Sequence, residues 1–170
     1  MKTLGMCIAL AFLLNPCQAQ ESAADLGVAA IGLVVSDIET SEKFYTQIIG
    51  MLPAGSFDLS PEWSKQAGAA NGKPFSVKMF KMTDNNTATI LKLAYFDRVA
   101  PRPSQSGVDA NAGVNYLTFN YSREDFEQAV NRLKEANIKI LGWVKREGYQ
   151  LLFVRDPDGV FIELVGPPDM

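Results

Sequence analysis

The sequence predicts an α+β fold assembled from two copies of one unit, a strand and a helix followed by three strands. Three observations carry the prediction. The openings "VAAIGLVVSDIETSEKFYTQIIG" from Val28 and "GVNYLTFNYSREDFEQAVNRLKEANI" from Gly113 each join an apolar run to a stretch of near-helical periodicity. The closings "ATILKLAYF" and "VFIELV" each follow another strand and a polar turn. The copies also share a register: laying Ala30 on Tyr116 sets an offset of 86 residues and laying Lys92 on Glu163 sets one of 71, and the difference of 15 matches the segment from Leu59 to Lys73.

Residues 1–19 come first, with one lysine, an apolar run from Leu4 to Leu14, and a polar region ending in a small residue. This is the pattern of a secretory signal peptide cleaved after Ala19, and the run is too short to span a bilayer comfortably. Cys17, with Leu14 before it, raises a lipoprotein signal as the alternative. Against that, Pro16 stands where a small residue is expected.

The first unit, 27–98, opens on the apolar run, and its helix is marked by Ile38, Phe44, Tyr45, Ile48 and Ile49. It closes with "FSVKMFKM" and "ATILKLAYF" around the turn "TDNNT". The insertion 59–73, "LSPEWSKQAGAANGK", has loop composition, and the linker 99–112 is rich in Pro, Ser, Gly and Asn. The second unit, 113–167, has a helix start at Ser122 followed by Glu124 and Asp125, and a buried face of Phe126, Val130, Leu133 and Ile138. Its last strands are "KILGWV", "YQLLFV" and "VFIELV". The final hairpin turns at "DPDG", where Pro157 presets φ and Gly159 permits a positive one.

Period-two alternation assigns side chains to faces. Ile31, Leu33, Val35, Leu117, Phe119 and Tyr121 are expected under the helices. Ala30, Gly32, Val34, Tyr116, Thr118 and Asn120 look the other way, with Lys92, Phe161 and Glu163. Trp143, Tyr149 and Phe153 read as core.

Composition narrows the chemistry. Apolar residues make up 47% and charged residues 21% of the 170, an ordinary globular balance. Loss of the leader removes Lys2, Cys7 and Cys17, taking the formal charge from −3 to −4 and leaving neither cysteine nor histidine. That excludes disulfides, thiol nucleophiles, Ser-His-Asp triads and imidazole ligands for zinc or iron. Mild acidity with scattered lysines argues against nucleic acid. Asn85 and Asn120 begin acceptor sequences for N-glycosylation, relevant only in a eukaryotic secretory path.

The stretches "VVSDIETSEKFYTQIIGMLP" and "FVRDPDGVFIELVGP" resemble the opening and closing signatures of the vicinal oxygen chelate superfamily, the glyoxalase, bleomycin-resistance and extradiol-dioxygenase group. The resemblance implies two βαβββ modules whose eight strands form a cup around a ligand, with helices outside. It also implies four inward positions at which metal-dependent members hold a divalent ion with His, Glu or Gln. Those positions fall on Ala30, Lys92, Tyr116 and Glu163. Alanine offers no lone pair, protonated lysine repels a cation, and a neutral phenol coordinates poorly. One carboxylate is too little for an ion that wants four to six donors, so no metal cofactor is expected.

From this follow the candidate residues. Lys92 is expected to pair with Glu163 across the cup, the ammonium replacing the ion. Tyr116, Thr118, Asn120 and Phe161 are expected to contact a small molecule beside that pair, with Trp63 in the insertion as a lid. Two functions remain: an exported protein that binds or sequesters a small molecule without metal, or a lyase or isomerase acting next to a carbonyl, with Glu163 as base and Tyr116 or Lys92 as acid or electrostatic stabiliser. No nucleic-acid partner and no membrane span are expected, and monomer and homodimer are both allowed.

Overall fold

A computed structural model describes residues 27–169; the signal-peptide segment lies outside the described residues. Two units of the expected kind are present. The first comprises β1 (Ala30–Val34), α1 (Ile38–Lys43) running into a π-helical turn (Phe44–Ile49), β2 (Leu52–Leu59), α2 (Pro61–Gln66), β3 (Phe75–Lys81) and β4 (Ile90–Tyr95). The second comprises β5 (Tyr116–Asn120), α3 (Arg123–Glu135), β6 (Gly142–Lys145), β7 (Gln150–Arg155) and β8 (Phe161–Gly166). Each forms its own four-stranded sheet, in orders β1-β4-β3-β2 and β5-β8-β7-β6. The first and last strands of each unit pair in parallel and the remainder antiparallel.

Strand β2, "LPAGSFDL", carries two residues that read as turn formers. Pro53 is tolerated because β2 is an edge strand, and the register shifts between Pro53 and Gly55. The insertion is not all loop: Ser60 accepts a hydrogen bond from the Trp63 amide, Pro61 occupies the first turn, and one and a half turns of helix follow.

In the first unit Asp37 caps α1 by accepting from the Thr40 amide at 3.0 Å. The π-helical turn then gains a residue and ends on Gly50, at φ 93°. Its last carbonyls are satisfied from the other unit, Ile48 by Arg132 Nε and Ile49 by the Tyr121 hydroxyl, both at 2.9 Å. The positive φ favours glycine here, and a Cβ on Gly50 would crowd Arg132 Nη2 at 3.1 Å.

One core cluster spans both units. Tyr45, Ile49, Phe80 and Leu93 from the first and Phe126, Leu133, Leu152 and Ile162 from the second are all buried. Alternation holds: Val35, Leu117 and Phe119 are buried, Leu33 and Tyr121 pack on them, and Ala30, Gly32, Val34, Tyr116, Thr118 and Asn120 are exposed. Ile31 is a correction, since it is 37% exposed; it lines an open cavity with Met51, Leu91 and Leu117. Trp143 and Tyr149 also stay partly exposed, Trp143 edge-on to Phe126 with its Nε1 donating to Gln150.

The turn of the last hairpin is bolted to the first unit. Tyr45 donates to the Asp156 carboxylate at 2.8 Å, which also accepts from the Val160 amide at 2.7 Å and the Asp158 amide at 3.0 Å. The Asp158 carboxylate in turn accepts from the Ser36 amide at 3.1 Å. Burial, with help from neighbouring Asp158, pushes the Asp156 carboxyl above its ordinary value despite these donors. Burial likewise pushes the Tyr45 phenol well up, so it stays a donor.

The folded state therefore holds the Asp156 proton more tightly than the unfolded chain does. Its contribution to stability is complete below the ordinary value of 3.8 and is lost as pH rises through the raised one. We expect the stability difference, wild type minus Asp156→Asn, measured by urea unfolding, to fall as pH rises from there. A difference flat with pH would remove this role.

Candidate functional site

The faces turned away from the helices carry the residues singled out above, and they carry them in two groups. On the second sheet, parallel pairing sets Thr118 beside Glu163, and antiparallel pairing sets Phe153 on its other side. The Thr118 hydroxyl donates to Glu163 Oε2 at 2.5 Å. Around this carboxylate the rings of Tyr116 and Phe153 meet edge-on at 6.1 Å, and those of Phe153 and Phe161 at 6.5 Å. Tyr116 is 48% exposed and Phe161 only 6%, with the Arg155 guanidinium 4.0 Å over the Phe161 ring. The surface is an aromatic wall with one half-buried carboxylate in it.

On the first sheet, Lys92 sits between Gly32 of β1 and Met79 of β3, with its ammonium 5.9 Å from the centre of the Phe57 ring. The expected Lys92–Glu163 ion pair is not formed. Among the described residues the ion pairs within 4 Å are Lys78–Glu42 and Lys145–Asp169. The physical reason is local competition: Thr118 is the cross-strand neighbour of Glu163 and supplies a donor without crossing between sheets, while the Lys92 ammonium lies over the Phe57 ring of its own sheet. Trp63 meets Phe75 edge-on at 6.3 Å, and Phe75 stacks on Phe96 at 4.9 Å; its contacts are with this cluster rather than with Glu163.

Sequence reasoning placed Phe153 in the core, yet it completes the aromatic wall. The alternation that puts Leu152 and Val154 inside puts Phe153 out, and that signal was present. Asn120 and Thr118 additionally line a cavity of about 390 Å³ with Leu117, Phe119, Met51 and Met82. No signal in the sequence marks that cavity, because its walls come from both units.

The four ion-holding positions named above remain Ala30, Lys92, Tyr116 and Glu163. Glu163 is the one carboxylate among them, and the described residues contain no group of three His, Cys, Asp or Glu side chains placed to hold a metal ion. The donors present do not fit a divalent ion in the manner of the metal-dependent members.

The profile of the Glyoxalase/Bleomycin resistance protein/Dioxygenase superfamily matches residues 27–164. Solved structures agree in fold. A glyoxalase family protein from Bacillus cereus is 20% identical with a TM-score of 0.68, covering 89% of this chain and 99% of that one. A glyoxalase/dioxygenase from Nostoc punctiforme is 26% identical with a TM-score of 0.61, covering 95% and 100%. The trypanothione-dependent glyoxalase I of Leishmania major is 23% identical with a TM-score of 0.58, covering 82% and 85%. No curated protein matches. The chain belongs to the glyoxalase/bleomycin resistance protein/dioxygenase superfamily, the vicinal oxygen chelate group.

Among the described residues no helix is long and apolar enough to cross a membrane.

Proposed function

We propose that this chain is an exported member of the superfamily that binds a small molecule and holds it without a metal ion. The observation that carries the reading is the Glu163 carboxylate, fixed by Thr118 inside a wall of Tyr116, Phe153 and Phe161. A preset carboxylate in an aromatic surface can orient a ligand donor while the rings cover its apolar body. Lys92 on the other sheet adds a positive group over Phe57 rather than a fourth ion ligand. Export rests on the sequence of residues 1–19.

Native mass spectrometry of the exported protein tests this. We expect a retained small molecule that is released on denaturation, and about tenfold weaker retention in Glu163→Gln and in Tyr116→Ala. Bare protein throughout, or retention indifferent to both changes, contradicts it.

A catalytic reading is favoured by one detail: Thr118 engages only Oε2, which leaves Oε1 of Glu163 open to take a proton next to a carbonyl. Exchange of α-hydrogens of carbonyl compounds into deuterated solvent, lost in Glu163→Gln, would carry that reading over simple binding.

A further inference from the structure

The two sheets do not pair with each other. Strand β1 is paired only with β4 and β5 only with β8, so each leaves one side open. The parallel ladder decides what that side offers. The Val35 amide donates to the Ala94 carbonyl and the Ile90 amide to the Ala29 carbonyl. Alternate residues therefore face β4, and Ala30, Gly32 and Val34 direct their N–H and C=O groups outward. A cleft of about 570 Å³ runs along this edge of β1, walled by Val34, Val99, Val114 and Val160 and also lined by Arg102 and Asp158. Of the four ion-holding positions, Ala30 lines its edge, and Lys92, Tyr116 and Glu163 do not.

Arg102 is the feature that needs explaining. One of its terminal nitrogens donates to Gln105 Oε1 at 3.2 Å, yet its Nε is buried and finds no acceptor among the described residues. A buried guanidinium N–H left without a partner is costly, and the acceptor it matches best is a carboxylate. Asp158, lining the same cleft, accepts from the Ser36 amide and the Ser41 hydroxyl and makes no ion pair with Arg102. Its negative charge instead disfavours an anion beside it, which sets the polarity of the cleft.

We propose that this cleft is a second binding site, distinct from the Glu163 wall, for a small molecule with an apolar body and one carboxylate. The carboxylate takes the Arg102 Nε–H together with an outward N–H of β1. The apolar body lies on the four valines, and the carboxylate lies away from Asp158. The cleft volume falls in the range of ~300–1,000 Å³ usual for small-molecule sites.

The test is an amide NMR titration of the full mature chain with 4-phenylbutyrate, its uncharged amide 4-phenylbutyramide, and inorganic phosphate. We expect 4-phenylbutyrate to give saturable shifts at the amides of Gly32, Val34 and Val114, unaltered by Glu163→Gln. The affinity should fall about tenfold or more for 4-phenylbutyramide and for Arg102→Gln. If Arg102→Gln does not fold, the carboxylate-against-amide comparison on the wild type decides. Three results overturn the proposal: no saturable shift, shifts centred on Tyr116 and Glu163, or phosphate binding as tightly as 4-phenylbutyrate. Because Glu163→Gln leaves this site intact, its failure is separable from failure of the proposed function.

Discussion

Replacing Asp156 with alanine lowers the unfolding free energy by about 2–4 kcal/mol, since each buried donor stripped of its acceptor costs ~1–3 kcal/mol. The donors stripped are the Tyr45 hydroxyl and the Val160 amide, both buried, with the Asp158 amide beside them. Part of that cost is offset because the variant no longer buries a carboxyl group, which keeps the figure below the sum over donors. The loss is larger than for Tyr45→Phe, which removes one donor and leaves both backbone amides their acceptor. Chemical denaturation of the two variants at neutral pH checks the order. Equal losses would mean that the backbone amides of the turn contribute nothing and that the bolt between units is the tyrosine alone. The consequence reaches the site, because the same turn leads into β8, which carries Phe161 and Glu163.

Phe126→Ala is the second large effect, expected to cost about 3–5 kcal/mol, as truncations of buried phenylalanines do. Phe126 is 1% exposed and packs edge-on against both Tyr121 and Trp143. Its ring also lies over Gly166 so closely that a Cβ there would meet Phe126 Cγ at 2.5 Å. Gly166→Ala alone should therefore cost about 1–3 kcal/mol through overpacking. In the Phe126→Ala background the same change should cost markedly less, because the ring contacts at 2.5 and 2.6 Å are gone and only the residue-126 Cβ, at 3.0 Å, remains close. Such a cycle isolates the contact. Additive losses would show that Gly166 is required by its backbone and not by the ring above it.

The fold was legible from repetition. Two apolar runs, two helical stretches and two hairpins in a shared register were enough for the α+β class, and alternation placed Val35, Leu117 and Phe119 inward correctly. Strand β2 was harder, since Pro53 and Gly55 mimic a turn and are tolerated only because an edge strand can bulge. The helix at Pro61–Gln66 was hidden by the small residues that follow it, although Ser60 and Pro61 form a cap signal.

The site was legible in its parts and not in its pairings. Alternation put Tyr116, Thr118, Phe161 and Glu163 on one face, and Thr118 then binds Glu163. The expected partner for Glu163, Lys92, lies on the other sheet, and a sequence offset fixes which strand faces inward without fixing the gap between sheets. The Arg102 cleft left no trace in the pattern at all, because the linker, β1 and the last hairpin come together there only on folding.

Metal content tests the central claim most directly, namely that a charge-bearing but ion-unfit set of side chains has replaced the ion of the metal-dependent relatives. Protein prepared without chelators is expected to carry far less than one equivalent of any divalent metal, with a Tm unmoved by added divalent ions or by EDTA. A stoichiometric ion that leaves in Glu163→Gln, together with a Tm raised by that ion, would contradict the account.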